Sequence, residues 1–102
     1  MNSEQFSTQR LRGYLEKDHF RLHPEVWRRL RDLHIDMQDA LYVLQRGIIT
    51  AEPEFDQRTR EWRFTVEGET VDQKQLRIDF TFVEVDGVLV LTITNSGTSR
   101  RP

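Results

Sequence analysis

The stretch Leu76 to Asn95, LRIDFTFVEVDGVLVLTITN, limits the choice of fold more than any other part of the chain. Two runs rich in Val, Ile, Phe and Thr flank an Asp-Gly pair, and such a pair marks a two-residue β-hairpin because both of its residues tolerate positive φ. With Asp86 and Gly87 at the corner the register follows: Val85 faces Val88, Phe82 faces Leu91, Phe80 faces Ile93 and Thr81 faces Thr92. One face then carries Ile78, Phe80, Phe82, Leu89, Leu91 and Ile93, all apolar. The other carries Val83, Val85, Val88 and Val90 near the turn, and Arg77, Asp79, Thr81, Thr92 and Thr94 away from it. This asymmetry predicts an antiparallel sheet with one buried face and one largely open to water.

A chain of 102 residues fits a single domain with one core. Apolar residues make up 36% and charged residues 31%, which predicts a small core under a densely charged surface. A net charge of -2 argues against coating nucleic acid by bulk electrostatics. Charge is nevertheless uneven: residues 1–31 carry seven bases against four acids, whereas residues 32–57 carry six acids against Arg46 alone. The absence of cysteine excludes disulfides and thiolate metal sites. No signal-peptide pattern opens the sequence and no apolar run approaches the ~18 residues of a membrane span, so the chain reads as soluble and cytoplasmic, without a membrane partner.

Along the chain, Leu11, Tyr14 and Leu15 give a short amphipathic helix over 9–17, with Ser7 or Thr8 as its cap. Residues 18–23 lack helical spacing and read as extended. Pro24 opens a second helix with Val26, Trp27, Leu30 and Leu33 as its buried stripe. Asp36 caps a third, carrying Met37, Leu41, Leu44 and Ile48 inward, and Gly47 closes it in the left-handed conformation. Residues 48–55 form a short strand that Pro53 confines to an edge or to the strand end. Residues 60–68 alternate with Trp62, Phe64 and Val66 inward, and 69–75 form a polar connection to the hairpin. The order predicts an α+β domain over 1–95, N-terminal helices packed on one face of a four-stranded antiparallel sheet, followed by a disordered tail over 96–102. Trp27, Trp62, Phe64, Phe80 and Phe82 belong between the two layers.

Two groups of residues bear on chemistry. His23 stands at a helix start, where it either caps the helix or acts as a general acid or base near neutral pH. Its neighbours His19 and Asp18 do not add a metal site, because Pro24 breaks the helix that would align them. The second group is basic: Arg63 and Arg77 lie on the open sheet face beside Thr65, Thr81 and Thr92, with Arg58, Arg60 and Lys74 near the strand ends. Guanidinium groups on an open sheet hold phosphates and stabilise charge in phosphodiester cleavage. The same arginines can also pair with Glu61, Glu67, Asp79 and Glu84 across strands. No cofactor-binding pattern is present.

Three segments taken together, LRGYLEKDHFRLHPEV, HIDMQDALYVLQRGII and VEVDGVLVLTIT, resemble the bacterial domain-of-unknown-function family numbered 4258 over Leu11 to Thr94. The resemblance implies a short helix, an extended segment ending in His23, a helix pair closed by Gly47, and an antiparallel sheet ending in a strand with Thr92. Trp27 and the pair Leu33-His34 stand where that family commonly has arginines. The layout is also similar to the motility quorum-sensing regulator toxin and the RelE-like toxins, which implies messenger-RNA cleavage and an antitoxin partner. Two functions follow as expectations. The first is a non-enzymatic interaction module that binds a protein partner, or itself as a homo-oligomer, through its helices or the edge strand near Ile49. The alternative is a metal-independent endoribonuclease with His23, Arg63 and Arg77 as catalytic residues and Arg58, Arg60 and Lys74 on RNA.

Overall fold

A computed structural model of the protein describes residues 7–50 and 52–98. Among these the chain is α+β, with three helices and six strands. Helix α1 (Thr8–Glu16) starts at Ser7, whose hydroxyl accepts from the Arg10 N–H at 3.0 Å. It stops at Asp18, where φ is +63° and the amides of Asp18 and His19 return to the carbonyls of Leu15 and Tyr14. Helix α2 (Glu25–Asp32) closes the same way on His34 (φ +58°), with the Ile35 amide bonding the Leu30 carbonyl. Aspartate and histidine thus occupy two left-handed positions that glycine usually takes. Helix α3 (Met37–Arg46) begins at Asp36, whose carboxylate accepts from the Gln38 N–H at 2.7 Å.

The sheet has six strands rather than the four expected. Phe20–Leu22, read from sequence as an extended link, is strand β1 and pairs in parallel with the last strand. The segment read as one strand over 48–55 is two, β2 (Ile48–Ile49) and β3 (Glu54–Asp56), both antiparallel to β4 (Glu61–Glu69). Between the two the register slips by two residues, at the point where Pro53 removes a ladder donor. Strands β5 (Gln75–Val85) and β6 (Val88–Thr98) complete the order β1-β6-β5-β4-β2.

The β5–β6 ribbon turns at Asp86 (φ +54°) and Gly87 (φ +79°), the pattern of a type I′ corner. Pairing runs as expected from Val85↔Val88 to Phe80↔Ile93, then shifts so that Asp79 faces Asn95. Thr94 is the extra residue, and its hydroxyl donates to the Asp79 carbonyl at 3.1 Å. Ser96 and Gly97 continue the pairing opposite Ile78 and Arg77, so β6 runs past the domain boundary expected at residue 95; residues 99–102 of the expected tail lie outside the described part.

Helices cover one face only. Ile78, Phe80, Phe82, Leu89, Leu91 and Ile93 are buried beneath them with Phe64 and Val66 from β4 and Leu11, Leu15, Val26, Leu30, Val43 and Leu44 from the helices. Phe64 and Phe80 meet edge-on with ring centroids 3.7 Å apart. Trp27 is not in this core. It is 58% exposed, because the eight-residue α2 turns only Val26 and Leu30, one turn apart, fully inward. Ile48, expected on the inner stripe of α3, lies past the end of that helix and is 72% exposed.

The junction between α1, α3 and β2 holds the helical layer to the sheet. The Arg12 guanidinium donates to the carbonyls of Leu44 (3.2 Å), Gln45 (2.7 Å) and Gly47, which α3 leaves unpaired at its C-terminus. Burial lowers the Arg12 pKa and the Glu16 charge opposes that shift. Gly47 is not left-handed, as expected from its place after Arg46, but extended (φ -74°, ψ -179°). Close approach explains it: a Cβ at this position would lie 2.6 Å from the Val43 carbonyl oxygen, 2.7 Å from that of Glu67 and 2.8 Å from Val66 Cγ2. Gly47→Ala therefore costs about 1 to 3 kcal/mol of stability in urea denaturation. Gly13→Ala, in α1 with nothing within 4 Å of the new methyl, gains about 0.5 to 1 kcal/mol. A harmless Gly47→Ala would refute the close approach.

Candidate functional site

Among the described residues no helix covers the second side of the sheet, and every sheet residue that the sequence marks for chemistry lies on it or at its ends. Arg63 stands on β4 opposite Thr81, and Arg77 on β5 opposite Glu67. Both are exposed and both are paired. Arg63 bonds Glu54 at 3.3 Å and Asp56 at 3.7 Å, and the Arg77 Nε lies 3.8 Å from the Asp79 carboxylate. Asp79 in turn accepts from the Thr65 hydroxyl at 2.8 Å. A hollow of about 220 Å³ opens here, walled by Glu52, Glu54 and Asp79 around Arg63, with Thr65 and Thr94 on its floor. Three carboxylates around one guanidinium make the local field negative, the wrong sign for a phosphodiester.

His23 does not reach this hollow. It follows β1 at the level of Thr92, and Thr92 faces Thr81, which faces Arg63, so three strand spacings, about 14 Å, separate His23 from Arg63. Its ring Nδ1 accepts from the Glu25 N–H at 3.1 Å and its carbonyl from the Val26 N–H at 2.8 Å. That is the helix-capping role. Arg63 and Arg77 are themselves about 13 Å apart along the strands. Arg58 and Arg60 occupy the β3–β4 turn, while Lys74 lies beyond the other end of β4, about 26 Å away. The backbone N–H of Lys74 donates to the Thr70 hydroxyl at 3.1 Å, and its side chain borders a cleft with His34, Asp36 and Asp39. These six residues do not form one patch. Among the described residues no group of three or more His, Asp or Glu is placed to hold a metal ion.

The turn-proximal part of the open face is different in kind. Val85 and Val88 face each other, as do Val83 and Val90; Val83 is 41% and Val85 50% exposed, and Val88 and Val90 are half-buried. Arg21 of β1 pairs with Val90 at one end of this row. At the other end Glu61, beside Trp62 in the register that sets Trp62 opposite Phe82, stands next to Val83. The sequence places the four valines together on this face but misses Arg21 beside them, because a strand of three residues gives no periodicity and only the parallel pairing of β1 brings Arg21 to the sheet. The edge near Ile49 offers less: β2 has two residues, and the register slip at Pro53 ends any longer template.

Comparison with protein-family models and with curated proteins finds no match to the chain.

Asp56 gives the open face a measurable electrostatic marker. Its carboxylate accepts from the N–H groups of Arg58 (2.9 Å) and Thr59 (3.3 Å), and these bonds, with the charge of Arg63, hold its pKa below the usual 3.8. A depressed carboxylate pKa adds stability that is complete above the unfolded value and disappears as pH falls through the folded one. In an NMR titration Asp56 titrates below 3.8, and Arg63→Gln moves it upward without restoring the ordinary value, since the two N–H bonds remain. An unshifted Asp56 would contradict the turn geometry.

Proposed function

We propose that this protein is a non-enzymatic interaction module, a small cytoplasmic protein of toxin-like layout that acts by binding protein. The observation that carries this reading is the block of four valines on the uncovered sheet face. Single exposed apolar residues are ordinary, but a two-by-two block beside the turn of the ribbon offers a contact surface. The charge pattern supports the same reading. Arg63 and Arg77 are each held by carboxylates, and His23 spends its ring Nδ1 on a helix cap. Catalysis of phosphodiester cleavage needs its groups within hydrogen-bond reach of one phosphate, and His23, Arg63 and Arg77 are each more than a phosphate's width from the next.

The competing reading, a toxin-like endoribonuclease with an antitoxin partner, rests on the resemblance to the family numbered 4258 and the RelE-like toxins. One experiment separates the two. Purified protein is incubated with messenger RNA, with and without ribosomes, and induced in growing cells. The module leaves RNA intact and growth unchanged. RNA cleavage that disappears in His23→Gln, Arg63→Gln or Arg77→Gln would overturn the proposal and restore the ribonuclease.

A further inference from the structure

The valine block is flanked by a charge on each side, Arg21 from β1 and Glu61 from β4. Across the sheet one row reads Arg21, Val90, Val83, Glu61, spanning about 14 Å from β1 to β4. Arg21 is exposed and Glu61 partly so, and among the described residues neither makes an ion pair. Every other arginine on this face is held by a carboxylate. Between the two ends, the open side of β5 and β6 carries Val85, Val88, Val83, Val90, Thr81 and Thr92. All six are short and β-branched, so no long side chain rises from this part of the ribbon; Val83 and Val85 stand exposed, Val88, Val90 and Thr92 are half-buried, and Thr81 is buried between its neighbours. A second sheet can approach such a surface to the ordinary ~10 Å of face-to-face packing.

We propose that the occupant is a second copy of this chain, packed face to face about a two-fold axis that lies in the interface and runs parallel to the strands. This rests on the interaction-module reading and names its partner. The axis direction follows from the charges. Rotation about an axis along the strands reverses the row from left to right, so Arg21 of each copy meets Glu61 of the other and valine meets valine. Rotation about an axis across the strands keeps the row's order and sets Arg21 against Arg21. Only the first arrangement neutralises both unpaired ends, and as an isologous contact it does so twice. The interface is small and its ion pairs sit at a wet rim, which places it among weak, concentration-dependent associations.

Sedimentation equilibrium of the full chain across concentrations up to about 1 mM tests this, with circular dichroism confirming that each variant is folded. The wild-type mass rises with concentration to twice that of one chain. Arg21→Glu and Glu61→Arg each weaken self-association at least tenfold, because like charges then meet at both rims. An equimolar mixture of the two single variants associates again, since one chain is now acidic at both positions and the other basic at both. The double variant R21E/E61R self-associates as the wild type does. A wild type that stays monomeric throughout, single reversals without effect, or a mixture that fails to associate would each overturn the dimer. None of those results bears on RNA cleavage, which alone decides the module reading.

Discussion

The structure depends on a single corner. Asp86 and Gly87 both take positive φ, and the tight turn they make leaves the two flanking strands one register only. That register sorts residues strictly. Ile78, Phe80 and Phe82 point to the side where Leu89, Leu91 and Ile93 also point, and burying these six side chains is worth on the order of 1.5 to 3 kcal/mol apiece. A slip of one residue would turn the phenylalanines to water and the threonines to the helices. Three amphipathic helices with apolar faces of their own complete the burial, so among the described residues no helix covers the other side of the sheet.

The helical layer is held in place by polar geometry as much as by apolar contact. Arg12 collects the last carbonyls of α3, and Gly47 lets the chain pass so close to β4 that no side chain fits between. Glu84, at the tip of the covered face, accepts from Arg10 and Tyr14 and so pins α1 over the far end of the ribbon. Each of these contacts joins residues distant in sequence. Together they turn a two-sided sheet into a one-sided one.

Local signals were legible in the sequence and distant ones were not. The ribbon and its corner, the Asp36 cap and the alternation of β4 all lie within a few residues of their cause. The parallel pairing of β1 depends on a contact nearly seventy residues away, Phe20 with Leu89, and three residues carry no pattern to betray it. Trp27 reads as core by its size, but a short helix exposes what its neighbours fail to cover. Gly47 follows a helix and so reads as a left-handed cap; its actual constraint, the backbone of Glu67, is set by tertiary packing. The open-face arginines were placed on the correct side by parity. Their carboxylate partners Glu54 and Asp56 come from a strand whose register the break at Pro53 had concealed.

The function proposed here follows from the sheet being one-sided. Cross-strand valine pairs strengthen the ribbon itself, yet four of them together on the uncovered side also leave apolar surface for a partner. The most direct measurement is the relaxation of methyl protons by a soluble paramagnetic probe, recorded by NMR in solution dilute enough for the chain to be monomeric. The methyls of Val83 and Val85 should relax strongly, while those of Ile78, Leu89, Leu91 and Ile93 stay protected. Equal protection of the two sets, or strong relaxation of Leu91, would contradict the one-sided sheet and everything drawn from it.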